Sequence, residues 1–397
     1  MRISTSGMHQ NALTAMLQQQ SALSRTQNQI ATGKRVQTPA DDPVAAVHIL
    51  ELQRALQESD QFGKNADAAS NRLTLEEHAL ADVGTLMQRV HELAIQANNA
   101  SVDSAGRRII ATEIRERLDE LTGIANRRDG NGEYLFAGYS TLTKPFEQTG
   151  ATTTYFGDQG SRSLQVSATQ KVSDSHSGYE VFMKVPEGNG TFVIGAAQAN
   201  TGSGVMSVGS VVDQTQWVAD DYTVNFTSAS GDYEILDGAA NVVTTGVYTA
   251  GSTLSFNGVN VGMTGMPADG DSFTVSRSRS EDIFTTLNDL ISTLEGTNVG
   301  SQAQFNTDMG RMLQQLDQSS DHLINVRAQV GSRLSSLDAA AASRDDREVE
   351  LKRMTSELHD LDYAEAISRM NQQLLGLEAA QASYSRISQL SLFNYLR

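Results

Sequence analysis

The sequence predicts an α+β multidomain protein. In this fold the N- and C-terminal halves form a long antiparallel coiled coil or helical bundle around an inserted all-β domain. Apolar residues recur at spacings of three and four near both ends, the period of an amphipathic helix. Two regular heptad stretches lie further inside the chain. Between residues 150 and 270, 18 of the 32 glycines punctuate short alternating runs, which indicates strands and tight turns.

The two ends of the chain share one pattern. A helix predicted over residues 358–397 carries a narrow apolar stripe made of Ile367, Met370, Leu374, Leu377, Tyr384, Ile387 and Leu390. A helix predicted over residues 6–30 carries Leu13, Met16, Leu23 and Ile30, with Gln20 and Gln27 at intervening seam positions. One helix cannot bury such a stripe alone, so we expect the two ends to pair. An ordinary amphipathic core helix would show the same period.

The chain interrupts its first helix and then restarts it. Gly33 after Thr32 is a natural C-cap, and Asp42 before Pro43 is typical of an N-cap followed by proline at the first helical position. The landmark residues of this restart are Pro39, Asp41, Asp42 and Pro43. An ordinary capped turn would account for their chemistry.

Inner helices are predicted on both sides of the β region. One heptad stretch runs from Ala66 to Ala97, interrupted only by Glu76, and a further helix is predicted from Ser104 to Arg127. After the β region, Ser280 is predicted to cap a new helix with Glu281 and Asp282 in its first turn. A second heptad stretch begins at Phe305 and shifts phase near Tyr363.

These patterns suggest three domains. We expect a terminal coiled-coil assembly domain at residues 1–55 and 358–397, a helical bundle at 56–140 and 281–357, and an inserted β-rich outer domain at 141–280. Predicted strands of the outer domain lie at residues 164–166, 180–185, 191–194, 222–226, 253–256 and 272–275. Trp217, the single tryptophan, is predicted to be a core or domain-junction residue.

Net charge, cysteine content and the first residues limit the kinds of partner and the cellular compartment that the sequence predicts. The net charge of −17, from 47 acidic and 30 basic residues, disfavours nucleic acid and anionic membranes as partners. The chain has no cysteine, so no disulfide framework is expected. The first residues lack the apolar segment of a cleaved signal peptide, and no run approaches membrane-spanning length.

No motif points to catalysis, a cofactor or a metal. The seven histidines are scattered without an i,i+4 pair, and no nucleophile elbow or zinc-protease motif is present. The acidic run from Asp129 to Glu133 has its glycines at the wrong positions for an EF-hand loop. We therefore predict that the chain is not an enzyme and has no catalytic, cofactor-binding or metal-binding residues.

Both ends of the chain resemble the bacterial flagellin family. The N-terminal run from Gln29 to Val36, the following segment 38–46, and the C-terminal runs 362–368 and 390–397 carry the resemblance. Prolines at positions 39 and 43 around the Asp-Asp pair are typical of the family branch that joins hook to filament, and the run 132–138 is similar to that branch. The resemblance covers residues 1–140 and 283–397 approximately; the middle resembles nothing that we can name.

The resemblance implies a structural role outside the cell. It implies self-association in a ring, contact with a neighbouring hook-associated protein and with flagellin, a cytosolic export chaperone, and type III export to the flagellum without a cleaved signal peptide. Two alternatives remain open at this point. The chain could be filament flagellin, although Pro39 and Pro43 disfavour this, or a secreted adhesive protein whose β domain holds a ligand.

Overall fold

The computed structural model describes residues 5–296 and 301–389. Its helices are α1 (Thr5–Thr32), α2 (Pro43–Ala97), α3 (Ser104–Ala125), α4 (Ile283–Glu295), α5 (Gln302–His359) and α6 (Tyr363–Gln389). The chain forms two compact units, one from residues 1–64 with 340–397 and one from residues 65–339. The predicted α+β fold, with terminal helices around an inserted β region, is confirmed.

In the first unit, α1 and α6 pack along each other. Gly33 faces Tyr363 at one end of the pair, and Gln19 faces Gly376 further along, so the two helices run antiparallel. The predicted pairing of the chain ends is therefore present within one chain. The prediction of one helix over residues 358–397 was wrong at its start, because α5 continues to His359 and α6 begins only at Tyr363.

In the second unit, α2 supplies the central seam. All ten heptad residues from Ala66 to Ala97 are buried, as their spacing predicted. The buried face of α3 includes Ile110, Ile114, Leu121 and Ile124. The prediction for the cap of α4 was wrong by two residues. Ser280 and Glu281 form a short strand, and Asp282 caps the helix by accepting the Thr285 N–H at 2.7 Å.

The β region contains fifteen short strands among the described residues. They are β1 (Phe146–Thr149), β2 (Thr152–Tyr155), β3 (Ser163–Gln165), β4 (Lys171–Ser173), β5 (Val185–Pro186), β6 (Phe192–Ala196), β7 (Val205–Met206), β8 (Ser210–Val211), β9 (Tyr222–Phe226), β10 (Asp232–Leu236), β11 (Val242–Val247), β12 (Thr253–Phe256), β13 (Val259–Thr264), β14 (Ser272–Arg277) and β15 (Ser280–Glu281).

Two sheets between residues 192 and 277 share one core. The larger has the order β11-β10-β9-β14-β6, and the smaller has the order β12-β13-β7 with β8 beside β13. The neighbouring strands of both sheets are antiparallel, as in the pairing of Tyr222 with Val275. Their inward side chains form one apolar cluster that includes Phe226 and Val224, and Trp217 packs against its edge as predicted.

Residues 146–186 pack differently. Phe146 and Phe182 form ring contacts with each other and with Phe284 of α4, and Phe136 contacts Phe182. This segment therefore packs on α4 through tilted ring contacts with Phe284, which add to apolar burial. The predicted strand at residues 180–185 was wrong, because Tyr179–Met183 forms a π-helical turn instead.

Candidate functional site

The restart between α1 and α2 is built from the predicted landmark residues. Gly33 has a φ of +70°, the left-handed conformation that ends a helix at glycine. Asp41 accepts hydrogen bonds from the Thr38 N–H at 2.9 Å and from the Thr38 hydroxyl at 3.0 Å. Asp42 accepts the Ala45 N–H at 3.0 Å, which caps α2. Pro39 and Pro43 are exposed.

A second helix break, between α5 and α6, lies against this restart. The Arg35 N–H donates to His359 O at 2.7 Å, and the Leu361 N–H donates to Gly33 O at 2.9 Å. Lys34 and Asp360 form an isolated antiparallel bridge between these bonds. The Arg35 guanidinium also donates to Leu358 O at 2.8 Å. We call residues 33–42 and 358–363 the paired breaks, because backbone bonds join them although they are far apart in sequence.

Charge and hydrogen bonding favour the ionised carboxylates of the paired breaks. Hydrogen bonds from Thr38 lower the pKa of Asp41, and the backbone bond from Ala45 lowers the pKa of Asp42, with Arg35 adding to the effect. The Ser356 hydroxyl is the main cause that lowers the pKa of Asp360, followed by His359. These groups therefore stabilise the fold above their ordinary pKa, and that contribution is lost as acid protonates them.

A heptad seam joins α1 to α6. The inward positions of α1 are Ala12, Met16, Gln19, Leu23, Thr26 and Ile30, and those of α6 are Ala366, Met370, Gln373, Leu377, Ala380 and Tyr384. Several are polar, and Gln19 Nε2 donates to Gln373 O at 3.1 Å across the seam. Gln20 and Gln27, which were predicted at seam positions, are exposed; Gln19 and Gln29 are turned inward in their place.

The predicted interface residues fall into two sets. Met16, Leu23, Ile30, Met370, Leu377 and Tyr384 are wholly or partly buried in the seam. Leu13, Ile367 and Leu374 are exposed by 48%, 45% and 37%. Ile387 lies in α6, but its side chain is outside the described part, and Leu390 is outside the described residues.

Two further leucines were missed by the sequence reasoning. Leu17 and Leu375 are exposed by 57% and 66%, more than any residue of the predicted set whose side chain the structure describes. Leu17 follows Leu13 by four residues, and Leu375 follows Ile367 by eight, so each extends an exposed apolar face of its own helix. A search for a second stripe beside the first would have found them. We call Leu13, Leu17, Ile367, Leu374 and Leu375 the exposed stripe.

The helices of the exposed stripe are almost free of charge. Arg25 is the single Lys, Arg, Asp or Glu in α1, and α6 has two acidic and two basic residues. Residues 1–64 and 340–397 hold 13 basic and 14 acidic residues, whereas residues 65–339 hold 17 and 33. The net charge of the chain therefore lies almost entirely in the second unit, and electrostatic repulsion between copies would be weakest at the terminal helices.

The residues described above are suited to packing between helices. In residues 5–296 and 301–389, no three His, Asp or Glu side chains converge to hold a metal ion. Within the same ranges no helix is both long and apolar enough to cross a membrane. The acidic run that begins at Asp129 has an internal partner, because Asp129 and Glu133 lie 3.0 and 3.3 Å from the buried Arg72 guanidinium.

Three family models match parts of the chain. Residues 3–141 match the bacterial flagellin N-terminal helical region, and residues 313–396 match the bacterial flagellin C-terminal helical region. Residues 196–277 match the D2-like domain of flagellar hook-associated protein 1. The last match corrects the expectation that the middle of the chain resembles nothing known, and its bounds follow the two sheets closely.

Solved structures decide the branch. The crystal structure of Xanthomonas campestris FlgL is 35% identical, with a TM-score of 0.71 over 77% of this chain and 99% of that chain. The chain belongs to the FlgL family. The crystal structure of the flagellar hook-associated protein 3 of Legionella pneumophila is 30% identical, with a TM-score of 0.74 over 78% of this chain and 98% of that one.

Curated relatives of the FlgL family carry the name flagellar hook-associated protein 3. The Escherichia coli protein is 26% identical over 99% of both chains. The Salmonella typhimurium protein is 34% identical over 48% of this chain, and that match spans 61% of the Salmonella protein. The resemblance to the flagellin family is thereby confirmed, with the hook-associated branch favoured over filament flagellin.

Proposed function

We propose that this chain is a structural, non-catalytic adaptor that joins the flagellar hook to the flagellin filament and is needed for filament attachment and motility. One relative of known structure is the flagellar junction protein FlgL of Legionella pneumophila, and the match covers its whole length. The observation that carries the proposal is the exposed stripe on two nearly uncharged helices. Large apolar side chains that stay exposed on two paired helices are typical of a surface that another chain covers.

The partners follow from the same surface. Copies of this chain would associate in a ring through the exposed stripe, with a hook-associated protein on one side and flagellin on the other. A cytosolic chaperone would protect the stripe before type III export, which uses no cleaved signal peptide. We also propose the division into a terminal assembly domain (1–55 and 358–397), a helical bundle (56–140 and 281–357) and an outer β-rich domain (141–280).

A charge placed in the exposed stripe tests the proposal. In a strain that lacks the native gene, the full-length chain with Leu375→Asp should fold normally, because Leu375 contacts little of its own chain. Hooks without filaments are expected by electron microscopy, with flagellin shed into the medium, because a charge buried at an apolar contact costs several kcal/mol. Leu374→Asp should act in the same direction.

Ser383→Asp is the matched control, since Ser383 is also exposed on α6 and, nine residues beyond Leu374, lies on the opposite side of the helix. Cells with this variant should keep normal filaments. Filaments of normal length in the Leu375→Asp strain would defeat the proposed surface. Filaments of normal length in the deletion strain itself would defeat the adaptor function and favour an alternative role.

A further inference from the structure

Two short segments connect the sheets at residues 192–277 to the helices. β5 (Val185–Pro186) pairs with β15 (Ser280–Glu281) in an antiparallel ladder. Beside it the Glu187 N–H donates to Arg279 O at 2.9 Å, and the Ser278 hydroxyl donates to Glu187 O at 2.8 Å. We call residues 185–188 and 278–281 the neck, because the chain enters and leaves the sheet region through them.

One side chain of α5 holds the neck. The amide of Gln315 is buried, with 2% of its surface exposed. Its Oε1 accepts the Gly188 N–H at 2.7 Å, and its Nε2 donates to Pro186 O at 3.3 Å. Gln315 thus binds two backbone groups of one neck strand. Movement of that strand would therefore lengthen or break these two hydrogen bonds.

Carboxyl groups crowd the other neck strand. Glu281 is partly buried, and its Oε2 accepts the Thr286 hydroxyl at 3.3 Å. The charged groups that act on Glu281 are Glu187 from the neck, Asp289 from α4 and Arg311 from α5. Asp282, the N-cap of α4, acts on Asp289, and Asp289 in turn acts on Asp308 of α5. Three carboxyl groups, those of Glu281, Asp289 and Asp308, therefore share the Arg311 guanidinium in a partly desolvated region, where repulsion is weakly screened.

Protonation of Glu281 removes its repulsion by the neighbouring carboxylates. Burial, with repulsion from Asp289 and Glu187, raises the pKa of Glu281 to about 7, although Arg311 opposes the shift. Burial is also the main cause that raises the pKa of Asp289 and of Asp308. A folded-state pKa above the ordinary 4.5 means that the folded chain holds a proton which the unfolded chain has lost. Stability therefore falls as pH rises from 4.5 to about 7.

We propose that the neck is a pH-sensitive joint. It is closed while Glu281 carries its proton, and it loosens when Glu281 is ionised and repelled by Asp289 and Glu187. The strand pair 185–186 with 280–281 and the Gln315 bonds are the elements that open, because Glu281 belongs to that pair. The attachment of the sheet region to the helices thus becomes looser in neutral to alkaline surroundings. This joint does not depend on the adaptor role.

Hydrogen exchange of the full-length chain tests the joint. The amides of Glu187 and Gly188 report on the neck, because the Glu187 N–H donates across it to Arg279 O and the Gly188 N–H donates to Gln315 Oε1. In Glu281→Gln the side chain stays neutral at every pH. At about pH 8 these two amides should exchange at least about tenfold more slowly in Glu281→Gln than in the wild type, and at about pH 5 the two proteins should agree. Comparison at equal pH removes the intrinsic pH dependence of exchange.

Glu116→Gln, at an exposed position of α3, is the control and should leave the neck amides unchanged at both pH values. A ratio of wild-type to Glu281→Gln exchange that is the same at both pH values would overturn the joint. Asp289→Asn removes the charge that repels Glu281 most strongly and should slow neck exchange at about pH 8 in the same direction. This second variant decides the question if Glu281→Gln does not fold, and no slowing in it would equally overturn the proposal.

Discussion

The seams of α1 and α2 follow the same heptad spacing and differ in what covers them. Between Ala66 and Ala97 every seam position of α2 is buried inside the second unit. Between Ala12 and Ile30 only Leu23, Thr26 and Gln29 of the inward α1 positions are buried, and leucines beside that seam are exposed. Equal periodicity therefore does not mean equal burial. The α2 seam is complete within one chain, whereas the α1–α6 pair leaves apolar side chains exposed.

Polar residues in the two seams also behave differently. Glu76, the one acidic residue of the α2 heptad, accepts the His176 N–H at 3.2 Å and lies 2.7 Å from Nδ1 of the same residue. Both side chains have 1% of their surface exposed. In the α1–α6 seam, Gln19 and Gln29 donate instead to backbone carbonyls of Gln373 and Arg35. A charged side chain that is fully buried needs a partner to offset its desolvation. An amide in a partly solvated seam has a smaller desolvation cost.

The largest loss of stability is expected when Glu76 is removed from the α2 seam. Glu76→Ala would leave His176 buried without the carboxylate that it faces, and breaking a buried pair costs about 3–5 kcal/mol. Urea denaturation should show this loss, and hydrogen exchange should place it in residues 65–339. Glu92→Ala, at an exposed position of the same helix, should cost less than about 0.5 kcal/mol. Equal costs for the two variants would contradict the assigned pair.

Much of this arrangement could be predicted from the sequence. The spacing from Ala66 to Ala97, the break at Gly33 and the cap at Asp42 depend on residues close together in the chain. The partner of Glu76 could not be predicted, because His176 lies a hundred residues away and its segment shows no period. The sequence showed only that Glu76 broke an apolar pattern, which was the available signal.

Contacts between residues far apart in sequence also explain the wrong predictions. Which face of α1 is buried depends on α6, and the two polar glutamines that turn inward differ from the predicted ones by one or two positions. The π-helical turn at Tyr179–Met183 has the alternating apolar residues of a strand, and Phe182 packs among the rings of Phe136, Phe146 and Phe284. Tertiary contacts decided both cases, and periodicity carries no information about them.

A matched pair of methionine substitutions would sharpen the comparison between the seams. Met87 lies in the α2 seam with 0% exposure, so Met87→Ala should cost about 2–5 kcal/mol through lost burial and a cavity. Met370 lies in the α6 seam and is only partly buried, so Met370→Ala should cost about 1 kcal/mol or less. Urea denaturation of the free chain measures both. A larger loss from Met370→Ala would mean that the terminal seam is as complete as the inner one.

The smallest expected effect has the opposite sign and comes from a glycine in the α2 helix. Gly84 is partly exposed, and a Cβ added there would meet nothing within 4 Å. Gly84→Ala should therefore stabilise the free chain by about 0.5–1 kcal/mol, because alanine loses less conformational entropy in a helix. Gly188→Ala is the contrasting control, since Gly188 has a φ of +60° and its added Cβ would collide with Phe192 O. That variant should be destabilised. Thermal denaturation of both variants beside the wild type measures the difference. A loss of stability in Gly84→Ala would show that another group already occupies the space beside this helix.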